Sequence, residues 1–135
     1  MYKRQFFRLG RRLPIHASAG GKAILAAATE GYRESLLAGI ELERFTGNTH
    51  GTRKALDADL AVIAGRGWAI DDEEHTIGMR CVSAAILSET GEPAGAVSIS
   101  APAVRMQRDR MAALGERVKE TAALLSEQFS GRKRG

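Results

Sequence analysis

The segment from Cys81 to Ser100, CVSAAILSETGEPAGAVSIS, most constrains the fold, because polar and apolar side chains alternate along both of its halves. The Gly and Pro residues of the intervening ETGEP predict a turn, so the two halves are expected to form an antiparallel β-hairpin. Side chains alternate between the two faces of a strand. The pattern therefore predicts one polar face and one apolar face, the latter made by Val82, Ala84, Ile86, Val97 and Ile99.

The register of this hairpin decides which polar side chains meet. The expected pairs are Ser88 with Pro93, Ser83 with Ser98, and Cys81 with Ser100. A shift of one residue would distribute the polar side chains over both faces, so the apolar pattern favours this register. Asp71, on the preceding predicted strand WAIDD, is placed to line the same polar face.

The other segments predict helices around this sheet. Helices are expected over ASAGGKAILAAATE, YRESLLAGI and RKALDADLAVIAGRG, and a long amphipathic helix over residues 109–129. The apolar stripe of the last helix is expected to lie on the sheet and comprises Met111, Leu114, Val118, Leu125 and Phe129. A strand interrupted at Gly10 and stopped near Pro14 is predicted over KRQFFRLGRRLPIH, since proline cannot donate to a β-ladder. These elements indicate the α+β class, with an antiparallel sheet flanked by helices.

Composition favours one globular domain. The chain has 135 residues, of which 44% are hydrophobic and 27% are charged. No apolar run approaches the roughly 18 residues of a membrane span, so no membrane partner is expected. The basic N-terminus lacks the apolar core of a signal peptide, and a single cysteine suits a reducing compartment, so a cytoplasmic protein is expected.

The net charge of +4 comes from the two ends of the chain. All 16 acidic residues lie between two basic ends, so the body of the chain is mildly acidic. The basic residues of the ends are Lys3, Arg4, Arg8, Arg11, Arg12, Arg132, Lys133 and Arg134. Because nucleic-acid binding needs a basic face built into a fold, DNA binding by this chain alone is not expected.

The start of the first predicted helix is the second candidate site. Ala19 and Gly20 have small side chains or none, so a ligand can approach the backbone there. The unpaired N–H groups of a first helical turn also attract anions. The alternative is that the small residues only allow the helix to pack closely on the sheet.

Three chemistries compete for the polar face. A Cys81 nucleophile would need a base such as His75, and a zinc site would need Asp71, His75 and Cys81, supplemented by His16 or His50 from elsewhere in the chain. A neutral thiol, hydroxyl groups and helix-start amides instead suit a carboxylate and an adjacent carbonyl, bound without turnover. Cys81 as a small buried side chain, with the serines facing solvent, is a fourth possibility.

Three segments resemble the C-terminal effector-binding domain of IclR-family transcriptional regulators, namely LPIHASAGGKAILAA, TRKALDADLAVIAGRGWAIDDEEHTIGMRCVSAAI and GEPAGAVSISAPAVRM. The most specific part is GWAIDDEEHTIGMRC, and the resemblance runs from about Phe6 to about Phe129. It implies a GAF-like antiparallel sheet flanked by helices. In this family such a domain follows an N-terminal winged helix-turn-helix that binds DNA.

The resemblance also implies a ligand. In the glyoxylate- and pyruvate-responsive branch, the family's ligand contacts correspond to Ala19, Gly20, Asp71, Cys81, Ser98 and Ser100. It therefore implies a small 2-oxo acid effector, with no metal and no cofactor. It further implies a homo-oligomer, dimeric or tetrameric, that contacts DNA only through a helix-turn-helix absent from this chain.

We therefore expect residues 1–131 to form an IclR-type effector-binding domain that is incomplete at its N-terminus, followed by a basic tail at 132–135. Missing strands would leave an exposed sheet edge near Phe6 and Phe7, and an exposed edge favours self-association. The rival function is a small enzyme that acts on a 2-oxo acid through Cys81. The two differ in outcome, because a sensor leaves the acid unchanged and an enzyme consumes it.

Overall fold

The computed structural model describes residues 12–129, which form four helices and three strands. In chain order these are α1 (Ala19–Ala27), α2 (Glu30–Leu37), α3 (Arg53–Arg66), β1 (Ala69–Asp72), β2 (Met79–Leu87), β3 (Pro93–Pro102) and α4 (Arg108–Phe129). No helix in this part of the chain is long and apolar enough to cross a bilayer. The predicted α+β class is confirmed.

The predicted N-terminal strand lies mostly outside the described residues. Its described end, residues 12–16, contains no strand. The chain turns there instead, and the N–H of Ala17 donates to the carbonyl of Pro14 at 3.3 Å. The predicted stop near Pro14 agrees with this turn, but residues 12 and 13, the described residues before Pro14, do not form the predicted strand.

Hydroxyl side chains begin the first three helices. The side chains of Ser18, Thr29 and Thr52 each accept a hydrogen bond from the N–H three residues later, at 3.1–3.2 Å. Such caps satisfy N–H groups that have no partner within the helix. Gly67 ends α3 with a φ of 92°, and its N–H donates to Ile63 at 2.7 Å.

The sheet has the order β1-β2-β3, with both pairs antiparallel. The predicted pairs of Ser83 with Ser98 and Cys81 with Ser100 are confirmed. The pair of Ser88 with Pro93 was wrong, because the register shifts between Ile86 and Leu87 and Leu87 pairs with Pro93. The turn closes just beyond, where Gly91 adopts a φ of 88°.

Each face of the sheet carries helices. On one face α1 covers β2 and β3, with α3 packed behind α1; this core includes Ala23, Leu25, Leu56, Leu60 and Ile63, with Cys81 and Ala85 at its border. On the other face α4 covers Val82 and Ala84, as the alternation predicted. Ile99, on the edge strand, keeps 36% of its surface exposed and is incompletely covered.

The buried face of α4 differs from the predicted stripe. Met111 and Val118 are buried as expected, but Leu125 and Phe129 are 37% and 64% exposed. The other two buried residues of α4 are small, namely Gly115, which lies between Met111 and Val118, and Ala122, which follows Val118.

The indole ring of Trp68 explains why α4 packs through a glycine. A Cβ atom on Gly115 would lie 2.2 Å from Cδ2 of the indole, so the helix approaches the ring through a glycine. The indole N–H donates to Glu116 at 2.9 Å, and the guanidinium of Arg66 lies 4.0 Å from the ring centroid. Because the indole of Trp68 lies against α4, only a small residue fits at the contact, and Leu125 and Phe129 face solvent instead.

Replacing Gly115 by alanine is expected to destabilise the fold by roughly 1–3 kcal/mol, because the added methyl group overpacks the Trp68 contact. Gly65→Ala is the matched control, since Gly65 is also helical but no atom lies within 4 Å of the Cβ position. The control should stabilise the protein by up to about 1 kcal/mol through helix propensity. Denaturant unfolding measures both, and equal effects of the two substitutions would contradict the packing argument.

Candidate functional site

Three polar side chains form a row across the sheet. Asp71 of β1 pairs with Cys81 of β2, and Cys81 pairs with Ser100 of β3. Residues directly paired across strands project to the same face. The neighbouring row contains Ser83 and Ser98, so the polar face predicted from the alternation is assembled in the structure.

The start of α1 lies over these rows. A Cβ atom on Gly20 would be 3.7 Å from the hydroxyl oxygen of Ser83 and 3.8 Å from that of Ser98. The capping hydroxyl of Ser18 accepts from the N–H of Gly21. Within residues 12–129, the N–H groups of Ala19 and Gly20 donate to no protein acceptor. They remain available to an anion in front of the helix start.

Gly21 allows the helix to take this position. Its Cβ position lies 2.3 Å from the carbonyl oxygen of Ile15 and 2.7 Å from the Cα of the same residue. A side chain would collide with backbone that cannot move aside, so α1 and the preceding turn fit together only with glycine here. The small residues at the start of α1 thus allow both close packing, through Gly21, and access to the helix backbone, through Gly20.

A cavity of about 440 Å³ opens between α1 and the sheet. All six predicted ligand contacts line it, namely Ala19, Gly20, Asp71, Cys81, Ser98 and Ser100. Apolar side chains form another part of its wall and include Leu13, Ile15, Ile24 and Met79. The structure therefore brings the predicted residues together on the wall of one cavity.

The hydroxyl groups on β3 are already hydrogen-bonded within the site. Ser98 donates to Ser83 at 2.9 Å, and Ser83 donates to the carbonyl of Val97 at 3.0 Å. Ser100 donates to the sulfur of Cys81 at 3.2 Å. Since hydroxyl hydrogens rotate freely, Ser98 and Ser100 can turn theirs towards a ligand.

Asp71 is the unusual acid of the site. Burial raises its pKa to about 6, and the negative charge of Glu74 acts in the same direction. Backbone N–H groups of Glu74 and His75 and the ammonium of Lys22 act against this rise. One carboxylate oxygen, Oδ1, accepts from the N–H of Glu74 at 2.7 Å. Near pH 6 the protonated and ionised forms of Asp71 coexist, and the protonated form can donate a hydrogen bond.

Cys81 is held as a neutral thiol. Burial raises its pKa, and the charge of Asp71 raises it further, although the hydroxyls of Ser100 and Ser98 act in the opposite direction. A nucleophilic cysteine needs a lowered pKa. His75 also lines the cavity, where its ring packs edge-on to Phe45 with centroids 5.0 Å apart. These features make Cys81 a hydrogen-bonding group and not an activated nucleophile.

Of the residues considered for zinc, Asp71, His75 and Cys81 line the cavity, whereas His16 and His50 contact other partners. His16 is buried, and its Nε2 lies 2.8 Å from the carbonyl oxygen of Glu43. In the described part of the chain, the group that resembles a metal site is His50 with Asp59 and Glu74. The ammonium of Lys22 already lies between the two carboxylates, 2.7 Å from Asp59 and 2.8 Å from Glu74.

Lys22 and Glu74 were missed as functional candidates from the sequence. Both are buried, with 1% and 6% of their surfaces exposed. Lys22 is the one charged residue of the otherwise apolar α1 sequence AGGKAILAA. A lysine within such a helix signals a buried ion pair, because burial of an unpaired charge is strongly unfavourable.

Comparison with known proteins supports a regulatory role. Residues 3–127 match the family model described as bacterial transcriptional regulator IclR C-terminal. The chain is 43% identical over 130 residues to the HTH-type transcriptional regulator BhcR of Paracoccus denitrificans strain Pd 1222, which covers 96% of this chain and 47% of that protein. It is 38% identical over 118 residues to the HTH-type transcriptional repressor AllR of Escherichia coli K12, covering 87% of this chain and 44% of that protein.

The fold comparison agrees. The crystal structure of the Thermotoga maritima IclR matches with a TM-score of 0.85 and 33% identity, over 91% of this chain and 50% of that chain. The chain spans about half the length of the curated relatives it matches.

Asp71→Asn is expected to stabilise the protein at pH 8 by about 2–3 kcal/mol, because the pKa of about 6 in the folded state exceeds the ordinary aspartate pKa of 3.8. A raised carboxyl pKa stabilises the fold at low pH, and this stabilisation is lost as pH rises through about 6. At pH 4 the wild type and the variant should therefore differ little. Denaturant unfolding at pH 4, 6 and 8 checks this.

Glu89→Gln is the control, since it removes a carboxylate at an exposed turn position. It should leave the dependence of unfolding free energy on pH unchanged. Parallel curves for the wild type and Asp71→Asn across this pH range would refute the assignment of a buried, protonated Asp71.

Proposed function

Since this chain belongs to the IclR family of bacterial transcriptional regulators, and matches its C-terminal effector-binding domain, we propose that its cavity binds a small 2-oxo acid such as glyoxylate or pyruvate. The observation that carries this proposal is the convergence of hydroxyls, a neutral thiol and helix-start N–H groups in one cavity. These donors suit a carboxylate next to a carbonyl.

The carboxylate of the acid is assigned to Ser98, Ser100 and the N–H groups of Ala19 and Gly20. The hydroxyls replace their present bonds to Ser83 and Cys81 with bonds to the ligand, at little cost because each hydroxyl keeps a partner. The helix start adds its partial positive charge. No lysine or arginine side chain is needed for this arrangement, since the guanidinium of Arg80 is paired with Asp72 at 2.8 Å.

The carbonyl end of the acid is assigned to Cys81 and Asp71. A protonated Asp71 donates a hydrogen bond to the carbonyl oxygen, whereas an ionised Asp71 would repel the acid. The apolar wall, which includes Ile15 and Met79, gives space to the methyl group of pyruvate. Both glyoxylate and pyruvate therefore belong in a binding test.

The alternative of a small enzyme acting through Cys81 is not favoured. The relatives and the family are transcriptional regulators and not enzymes. Burial also keeps the pKa of Cys81 above its usual range, which disfavours the thiolate that a nucleophile requires. A sensor returns the 2-oxo acid unchanged after binding, and a mass-balance measurement separates the two functions.

In the full regulator the effector would control DNA binding indirectly. We propose that DNA is bound by a winged helix-turn-helix outside this chain, and that the effector changes how domains or subunits are arranged. Such control requires unequal affinity of the effector for two arrangements. Self-association into a homo-oligomer is supported by exposed apolar side chains, including Ile77 at 74% and Val104 at 78% exposure.

The division into an effector-binding domain over residues 1–131 and a basic tail at 132–135 stays a prediction. The expected edge near Phe6 and Phe7 lies outside the described residues.

Replacing Ser98 and Ser100 together by alanine is expected to weaken glyoxylate and pyruvate binding by about a hundredfold or more. The double variant removes two hydrogen bonds to a charged group, each of which contributes roughly 1.5–3 kcal/mol. Isothermal titration calorimetry on the purified chain measures the loss. Ser35→Ala, at an exposed position on α2, is the matched control and should bind like the wild type. Unchanged affinity in the double variant would remove the serines from the site.

The affinity for glyoxylate is expected to decrease as pH rises above about 6, where Asp71 ionises. The decrease should approach tenfold for each pH unit, because only the protonated carboxyl group accepts the anion beside it. Binding at pH 7 should therefore take up protons, which calorimetry in buffers of different ionisation enthalpy detects. A flat profile from pH 5 to pH 8 would show that Asp71 does not face the bound acid.

A further inference from the structure

A buried ammonium group lies behind the cavity. Lys22 on α1 has 1% of its surface exposed, and its Nζ atom pairs with Asp59 of α3 and Glu74 of the β1–β2 turn. His50 contacts the same Asp59 oxygen through Nε2 at 2.9 Å. A buried lysine is tolerated only when its charge is compensated in this way. The cluster therefore ties α1 to two other segments.

Glu74 connects this ion pair to the site. Its backbone N–H donates to Oδ1 of Asp71 at 2.7 Å, while its side chain meets Lys22 at 2.8 Å. Two further bonds restrain Glu74: its carbonyl accepts from the hydroxyl of Thr49 at 2.5 Å, and its Oε2 accepts from the N–H of Asp72 at 3.3 Å. With side chain and backbone both held, the N–H that orients Asp71 has little freedom.

Lys22 belongs to the same helix that offers N–H groups to the effector. It follows Gly20 by two residues, so the ion pair links the helix start directly to the turn that holds Asp71. The two halves of the site lie on segments far apart in the chain. Their separation in space depends on the packing of α1 against the sheet and on this ion pair, which bridges the two segments.

We propose that the Lys22–Glu74 ion pair positions the Asp71 carboxyl group relative to the N–H donors at the start of α1, and so determines how the effector-binding site is assembled. This inference rests on the proposed binding of a 2-oxo acid in the cavity. Lys22 and Glu74 are positioning residues, because both act through Asp71 and neither lines the cavity.

The charges around Asp71 allow the effect of this ion pair to be measured as a shift in the Asp71 titration. The titratable groups around Asp71 are Glu74 and His75 of the turn, Lys22 of α1 and Cys81 of β2. Arg80 of β2 also lines the cavity, where its guanidinium is paired with Asp72. The charge of Glu74 raises the pKa of Asp71, and that of Lys22 lowers it. Removal of either charge should thus shift the Asp71 titration in opposite directions, whereas general loosening of the site would shift it in one direction.

Glu74→Gln is the main test, because glutamine keeps the length of the side chain and the backbone N–H. Asp59→Asn is its matched control, since it removes the other carboxylate that contacts Lys22 but not the group that orients Asp71. Lys22→Met is the third variant. The readouts are the titration of the Asp71 carboxyl carbon by NMR without effector, and the pH profile of glyoxylate affinity by calorimetry.

In Glu74→Gln the Asp71 titration midpoint is expected to fall, and in Lys22→Met it is expected to rise. In Asp59→Asn it should stay near the wild-type value. At pH 5, where Asp71 is mostly protonated, Glu74→Gln should still bind glyoxylate roughly two- to tenfold more weakly than the wild type, because Asp71 is less well oriented. Asp59→Asn should bind normally there.

Equal behaviour of Glu74→Gln and Asp59→Asn in both readouts would overturn the inference, as would midpoint shifts of the same sign in Glu74→Gln and Lys22→Met. If Lys22→Met does not fold, the comparison of the two carboxylate variants decides alone. A wild type that binds neither acid would refute the proposed function, yet the NMR titrations would still show whether Lys22 and Glu74 control Asp71.

Discussion

The close approach of α1 to the polar face of the sheet is the constraint on which the site depends. Gly21 permits it, because any side chain there would collide with the backbone of Ile15. Gly20 leaves space above Ser83 and Ser98, and the capping bond from Ser18 sets the direction of the first turn. The N–H groups of the helix start consequently face a cavity lined by side chains of the sheet.

Placing polar groups under a helix opposes stability, and the protein compensates elsewhere. The face covered by α4 is apolar and well packed around Trp68, Val82 and Met111. The face covered by α1 instead holds a carboxyl group with a raised pKa and an ammonium group that needs two carboxylates. Local violations of good packing chemistry are typical of binding sites, where function and stability compete.

The chemistry of this cavity is that of recognition. Its thiol is kept protonated by burial. The hydroxyls of Ser98 and Ser100 donate to Ser83 and Cys81, and they can rotate to donate to a ligand instead. Donors arranged in this way suit the proposed binding of an acid by hydrogen bonds, without activation of a nucleophile. This agrees with membership of a family of bacterial transcriptional regulators. A ligand that is bound without turnover can act by favouring one arrangement of a protein.

The sequence by itself determined the hairpin, its polar and apolar faces, the pairing of Cys81 with Ser100, and the presence of the helices, because these follow from local periodicity. The family resemblance predicted six ligand contacts, and all six line the same cavity. Only the tertiary structure decided that the register shifts beyond Ile86, that α4 packs through Gly115 against the indole, and that Lys22 joins Glu74 behind Asp71. These features depend on distances between segments remote in the chain, and on side-chain volumes that meet there, which no local pattern contains.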